Sequence, residues 1–280
     1  MCASALSARF RTAFVTGAST GLGRAFAEML LAEGIEVWGT ARDVSRLPIR
    51  DRFHPIALEL GDGTAAVNCF HEAELNAGGF DLVINNAGFG AFGSFVQTDF
   101  AVWEEQFRIM LVNTARLSHA ALRGMLTRRR GALVNISSIA AEFGLPYQAG
   151  YNTVKAGLSA LNESLMYELN GTGVIIIDFR PGDYRTDFEG SVRRPPPEAA
   201  PASVPVDSAR IERAWNGFIA LMRTGPAPEH AAASLRRALL RGRSATVRTG
   251  RFFQAVLGPF LARFGSLALR RKVLEKYFDL

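Results

Sequence analysis

The chain has little from which to build a metal centre or a disulfide framework. Its 280 residues include two cysteines, Cys2 and Cys69, and four histidines, His54, His71, His119 and His230, scattered without ligand spacing. No metal is expected, and a reduced, cytoplasmic setting is the simplest reading. No run of about 18 apolar residues suggests a transmembrane helix. The first ten residues, MCASALSARF, lack the apolar stretch of a signal peptide. No Ser-His-Asp order or cysteine nucleophile stands out. The glycine turn at 17–23 is spaced G-x-x-x-G-x-G, not the G-x-G-x-x-G of the common dinucleotide fingerprint. Internal repeats are absent.

What is present is ordinary for a globular α/β protein: 48% hydrophobic and 21% charged residues. The length suits one large domain, residues 1–280, with a well-buried core. Net charge is +6 and uneven: residues 190–280 hold 16 Lys and Arg against 6 Asp and Glu. Solvated surface arginines explain this most simply; a docking surface for an anionic substrate, partner or membrane is the alternative. No nucleic-acid recognition motif accompanies the basic region.

Strand-like runs at 12–16, 35–40, 53–59, 81–85, 131–137, 173–179 and 244–248 alternate with helical patterns at 22–33, 63–77, 99–128, 150–170, 207–222 and 228–241. That alternation predicts a doubly wound parallel sheet of about seven strands with helices on both faces. Ligands of such sheets bind outside the carboxyl ends of the strands. The segment RRPPPEAAPASVPVD, 193–207, breaks the pattern, since consecutive prolines exclude helix interior and central strand. It is expected as an extended or mobile loop.

The chemistry-bearing residues begin with Tyr151 and Lys155 in GYNTVKAG. In a helix they lie on one face, one turn apart. A phenol titrates near 10, and a fixed ammonium beside it lowers that value. Bringing it to about 7 requires roughly 4 kcal/mol of differential stabilisation. Upstream, a hydroxyl from Ser138 can hold a substrate oxygen while Tyr151 donates or removes the proton. Near the start, the strand RTAFVT leads into GASTGLG and an apolar-periodic helix. Gly17, Gly21 and Gly23 there permit a tight turn and let a phosphate approach the helix N-terminus.

TGASTGLG (Thr16 to Gly23), NNAG (Asn85 to Gly88), Asn113 in VNT, Ser138 in ISS, YNTVK (Tyr151 to Lys155) and RPGDYRT (Arg180 to Thr186) follow one order. Over about residues 11–190 the chain resembles the short-chain dehydrogenase/reductase family. Ser138 stands thirteen positions before Tyr151, the spacing that family shows, with Ser137 as the near alternative. The GTAR string and the long C-terminal extension look most like the 17β-hydroxysteroid and retinol dehydrogenase-like subgroup.

The resemblance implies a Rossmann-type fold and an NADP(H)- or NAD(H)-dependent ketoreductase acting on a carbonyl or secondary alcohol. It implies a catalytic set of Ser138, Tyr151, Lys155 and Asn113, the last holding a water that links the lysine to solvent. Lys155 would also bond the nicotinamide ribose. Cofactor contacts are implied for Gly17, Ser19, Thr20, Gly21, Leu22 and Gly23, for Asn85, Ala87 and Gly88, and for Pro181, Gly182 and Thr186. Asp62 would cap the adenine amino group, or serve as an N-cap for the helix near Thr64. Where an acidic residue would favour NAD, the second strand ends in Ala41-Arg42, and a guanidinium suits a 2′-phosphate. NADP is therefore expected over NAD, although Asp43 complicates the turn.

An apolar pocket is expected from Phe89, Phe92, Phe95, Phe143, Leu145, Tyr147, Tyr184 and Phe188. Asp183 either contacts the substrate or caps the following turn. The likeness suggests a steroid, retinoid, fatty or aromatic substrate, a lid over 189–243, and a homodimer or homotetramer through the helices holding Asn113 and Tyr151. Residues 251–280 read as a helical extension with Phe252, Phe253, Val256, Leu257, Phe260, Leu261 and Phe264 at roughly helical spacing, kinked at Gly258-Pro259. The basic cluster Arg270, Arg271, Lys272 comes after it. This tail packs on its own domain or a second subunit, closes over substrate, or meets an anionic membrane. Two other function classes stand beside the enzyme: a cofactor-binding regulator and a membrane- or lipid-associated protein on the same fold.

Overall fold

The computed structural model describes residues 4–194, 207–278 and 280. Most of the proline-rich stretch thus lies outside the described residues. In chain order the elements are β1 (Thr12–Val15), α1 (Gly21–Ala32), β2 (Glu36–Ala41), β3 (Phe53–Ala57), α2 (Gly63–Ala77), β4 (Leu82–Asn85), β5 (Gly90–Ala91), α3 (Phe100–Phe107), α4 (Thr114–Arg128) and β6 (Gly131–Ile136). Next come α5 (Ala149–Glu168), β7 (Val174–Pro181), β8 (Val192–Arg193), α6 (Ser208–Arg223), α7 (Pro228–Arg241), β9 (Ala245–Thr249), α8 (Gly258–Phe264) and α9 (Leu267–Tyr277).

Seven strands form one parallel sheet in the order β3-β2-β1-β4-β6-β7-β9. Side-chain alternation divides the core between its two faces. Ala13 and Val15 of β1 join Leu82 and Ile84 of β4 under α1 and α7. Phe14 and Val83, one residue out of phase, join the cluster built by α2 and α4. The order turns at β1, whose neighbours β2 and β4 lead the chain in opposite directions. A crevice opens there at the carboxyl ends of the strands. Thr16 closes its floor, since its Oγ1 accepts the backbone N–H of Asn86 at 2.9 Å and of Ala87 at 3.0 Å.

The helix expected over 99–128 is interrupted. A π-turn, Arg108–Asn113, separates α3 from α4. Such a turn inserts one residue and rotates the helix beyond it. Here Asn113 comes to lie buried, with Nδ2 on the Leu60 carbonyl at 2.6 Å. The C-terminal kink is also a π-turn, Phe253–Leu257, running straight into α8 at Gly258-Pro259. The actual break falls later, at Gly265, with Ser266 capping α9. Phe252, Val256, Phe260 and Phe264 face outward, while Phe278 closes a third apolar cluster with Phe92, Phe218 and Met222. Among the described residues, no helix is long and apolar enough to cross a membrane.

A polar row crosses the sheet on the α4–α5 side. Asn85, Asn135 and Asp178 stand in register on β4, β6 and β7. Asn85 Nδ2 donates to Asn135 Oδ1, Asn135 Nδ2 to Asn162, and Asn162 Nδ2 to Asp178 at 3.0 Å. Asp178 also accepts from Ser137 (2.5 Å), Ser159 (2.8 Å) and Arg180 Nε (2.7 Å). Asp178→Ala leaves the Asn162 amide, the Ser159 hydroxyl and Arg180 Nε without this acceptor, while Ser137 keeps Phe179 O. We expect it to lower unfolding free energy by about 3–5 kcal/mol, read from urea unfolding. A loss under about 1 kcal/mol would mean that water satisfies the row.

Candidate functional site

A cavity of about 1160 Å³ runs along the carboxyl ends of the strands, from the turn after β1 to α9. At one end, β1 is too short to pass beyond Val15, and the chain turns back through Gly17 at φ +69°. That sign of φ favours glycine. Gly23 lies against this turn: a Cβ there would stand 2.1 Å from the Gly17 carbonyl oxygen. Helix α1 then begins with no side-chain cap from Thr20 and no acidic residue in its first turn. Its positive end faces the cavity through Ser19, Thr20, Gly21 and Leu22.

The end of β2 lines the adjoining wall with Thr40, Ala41, Arg42, Asp43 and Arg46. Asp43 is committed to its own turn, where its Oδ1 accepts from Ser45 N at 3.0 Å and Ser45 Oγ at 2.7 Å. Those bonds hold its carboxyl below the usual range. Two guanidiniums thus face the cavity beside a carboxylate turned to other use. Asp62 does not line it. Its Oδ1 caps α2 through Thr64 N and Ala65 N, which also depresses its pKa. Asn85, in the polar row, and Gly23, under the turn, also lie behind the wall, whereas Asn86, Ala87 and Gly88 are in it. Asn113 is held away by Leu60.

Ser138, Tyr151 and Lys155 meet in the middle of the cavity, joined by Pro181, Gly182 and Thr186. Lys155 is buried, with Nζ donating to the Ile136 carbonyl at 2.7 Å and standing 5.4 Å from the Tyr151 ring centre. Burial pulls the ammonium down to about 8, opposed by the Asp178 carboxylate. Burial pushes the Tyr151 phenol up to about 12; the Ser138 hydroxyl opposes this and the Asp183 carboxylate adds to it. In the protein alone, desolvation therefore outweighs the lowering expected from Lys155. Ser138 sits on a loop fixed from below, because Arg180 and Arg248 both grip Glu142, at 2.8 and 2.6 Å. Ser137 is turned away to Asp178 and Phe179 O.

Of the expected pocket residues, Phe89, Phe143, Leu145, Asp183, Tyr184 and Phe188 line the cavity. Tyr184 is nearly buried, its hydroxyl held by Thr249 (2.7 Å) and His230 (2.9 Å). Tyr147 is not in the wall and packs instead against Phe92. Phe92 is core, and Phe95 lies outside on Trp103. Residues not singled out from the sequence share the wall, among them Arg46, Asn86 and Gln148 and, from the chain's last third, Phe218, Met222, Gln254, Tyr277 and Phe278, alongside Phe253 of the expected extension. The Asn86 amide ties the glycine turn through Thr16 O and Gly17 O, a role the NNAG doublet could have flagged. Nothing local marks Gln254 or Tyr277, which reach the site from far along the chain.

Burial raises Asp183 to about 6, opposed by Gln254 and Arg251. The folded chain therefore binds this proton more tightly than the unfolded one, whose carboxyl titrates near 3.8. Stability is lost as pH rises through about 6. We expect Asp183→Asn to melt above wild type at pH 8 and level with it at pH 4. Equal melting temperatures at pH 8 would show that the carboxylate is solvated.

Likenesses to known proteins fall into one family. A family model for short chain dehydrogenase matches residues 11–196. An uncharacterized oxidoreductase of Myxococcus xanthus is 35% identical over 199 residues, which is 67% of this chain and 78% of that protein. A 3-oxoacyl-[acyl-carrier-protein] reductase of Vibrio cholerae is 33% identical over 200 residues, 70% of this chain and 82% of its own length. A short-chain dehydrogenase structure from Streptomyces avermitilis superposes with TM-score 0.78 at 29% identity, over 96% of this chain and 97% of that one. The matched segment opens beside β1 and extends beyond β7, so it spans the glycine turn, Ser138, Tyr151 and Lys155; the chain belongs to the short chain dehydrogenase family.

Proposed function

We propose that the protein is an NADP(H)-dependent oxidoreductase that exchanges hydride between nicotinamide and a carbonyl or secondary alcohol, with Tyr151 as general acid and base. One observation carries this reading: Ser138, Tyr151 and Lys155 share a single cavity with an uncapped helix N-terminus and two guanidiniums. A dinucleotide fits these residues. The turn at Gly17 and the start of α1 suit its diphosphate, Ala87 and Gly88 a ribose, and Pro181, Gly182 and Thr186 the carboxamide. When bound, the cofactor supplies the hydride and, in its oxidised form, a positive charge close to the phenol.

Ser138 would hold the substrate oxygen while Tyr151 moves the proton. Lys155, fixed by Ile136 O, would orient the ribose. Asn113 would serve the lysine through its π-turn rather than its amide nitrogen, which Leu60 occupies. The aromatic side chains Phe89, Phe143, Phe188, Phe218 and Phe253 in the wall support an apolar substrate body. The C-terminal likeness to 17β-hydroxysteroid and retinol dehydrogenases suggests a steroid, retinoid or aromatic ketone, and the similarity to 3-oxoacyl reductases suggests a fatty one. The stretch 189–243, whose Val192, Phe218 and Met222 line the cavity, would act as the lid. A homodimer or homotetramer through α4 and α5, in the cytoplasm, completes the reading. A membrane-associated role finds its support in the outward row Phe252, Val256, Phe260 and Phe264 beside Arg263.

Tyr151→Phe should cut turnover of an accepted ketone by about 10² to 10⁴ while NADPH affinity, read by fluorescence, holds within a few-fold. Turnover within about tenfold of wild type would remove Tyr151 from the reaction. Cofactor choice is a separate matter. Wild type should favour NADP over NAD in kcat/KM, and Arg42→Ala combined with Arg46→Ala should erase that preference. An unchanged ratio in the double variant would sink the assignment.

A further inference from the structure

The wall around Tyr151 carries many apolar side chains, and besides Lys155 a carboxylate interrupts it. Asp183 comes directly after Pro181-Gly182 at the end of β7 and lines the cavity together with Phe143, Phe188, Phe253 and Leu274. A carboxylate in such company is costly unless donors meet it. A single side chain meets it on two sides. Gln254 Oε1 accepts the Asp183 backbone N–H at 3.1 Å, and Gln254 Nε2 donates to Asp183 Oδ2. The same Nε2 reaches Tyr277 Oη at 2.9 Å. Gly182 permits this approach, because a Cβ there would stand 2.4 Å from Gln254 Oε1.

The carboxylate is thereby pinned in one orientation, and its Oδ1 receives no hydrogen bond from the described residues. Arg251 attracts it without forming an ion pair. Its charge is felt by the Tyr151 phenol and by the Tyr277 phenol. The open oxygen and the group that would handle the proton therefore occupy one compartment.

We propose that Asp183, clamped by Gln254, is a substrate subsite that selects ketones and secondary alcohols carrying a hydrogen-bond donor, a hydroxyl or an ammonium, close to the reacting carbon. Carboxylates and phosphates are excluded at that position. The inference rests on the reading of the cavity as a ketone and alcohol site, and it adds a polar anchor to an otherwise apolar substrate. A donor satisfies Oδ1, a hydrocarbon leaves it unpaired, and an anion meets like charge.

The test uses the full chain and acetophenones differing only at the meta or para position: hydrogen, hydroxymethyl, aminomethyl or carboxylate. Affinity is measured by calorimetry in the presence of NADP⁺, which cannot reduce the ketone, with absorbance at 340 nm checked for oxidation of the hydroxymethyl probe, and kcat/KM is measured with NADPH. In at least one positional series, the hydroxymethyl and aminomethyl ketones should surpass the unsubstituted one by about tenfold or more in both measurements. The carboxylate should fall below it. Asp183→Asn should abolish the aminomethyl advantage and readmit the carboxylate, each read as a ratio to the unsubstituted ketone in the same variant. Gln254→Leu should weaken donor preference yet keep the exclusion of carboxylate, since the charge remains.

Equal affinities in wild type overturn the subsite, as does failure of every donor-bearing probe to bind. A uniform loss across all four groups in Asp183→Asn assigns the residue a structural role and overturns it too. Donor-selective binding without turnover of any ketone upholds the subsite and refutes the oxidoreductase reading. Turnover without donor preference does the reverse.

Discussion

Asp178 is buried in the sheet, and the centre of the site is assembled around it. Its two oxygens accept from β6, α5 and the neighbouring Arg180, so one carboxylate fixes how α5 lies on the sheet. Tyr151 and Lys155 are carried on that helix. The same charge offsets part of the desolvation that draws the Lys155 ammonium down. Arg180 carries the constraint onward to Glu142, and Glu142 sets the loop just after Ser138. The three reacting side chains thus share one electrostatic support, although they come from different segments.

The other half of the cavity depends on close backbone contact. The turn at Gly17 lies beneath Asn86 and Ala87, bound to them through Thr16 and the Asn86 amide. That packing leaves the start of α1 open toward the cavity. Charge arrives from the side, through Arg42 and Arg46, because Asp43 has been drawn into its own turn. An anion at this end would meet an unsatisfied helix terminus and two guanidiniums.

The seven strands were legible because buried parallel strands are short apolar runs between glycine-rich turns, and six helices because their apolar faces recur at helical spacing. Ordered motifs gave the glycine turn, Ser138 and the Tyr151–Lys155 pair. Periodicity does not register one inserted residue, so the π-turn before Asn113 was hidden, and with it the turning of that amide onto Leu60. Asp62 carried both readings in sequence, as any acidic residue before a helix does, and the backbone geometry makes it the cap. Asn85 stood in a motif that points to the cavity, yet its side chain is bound under α4 and α5 to Ser118 and Asn135, behind the wall. Asp178 stands alone in an apolar strand; its partners are far apart in the chain and only register brings them together. The same distance concealed Gln254 and Tyr277.

The match to the short chain dehydrogenase family ends at residue 196, and the Gln254 clamp with Tyr277 lies beyond it. The glycine turn and the reacting residues lie within it. Under the proposed assignments, reaction and substrate are written in separate stretches of one chain, joined at Asp183. Change in the last thirty residues can then redirect the protein to a new molecule while the proton-handling machinery is inherited intact. Descent from a common reductase would fix what is done long before it fixes what it is done to.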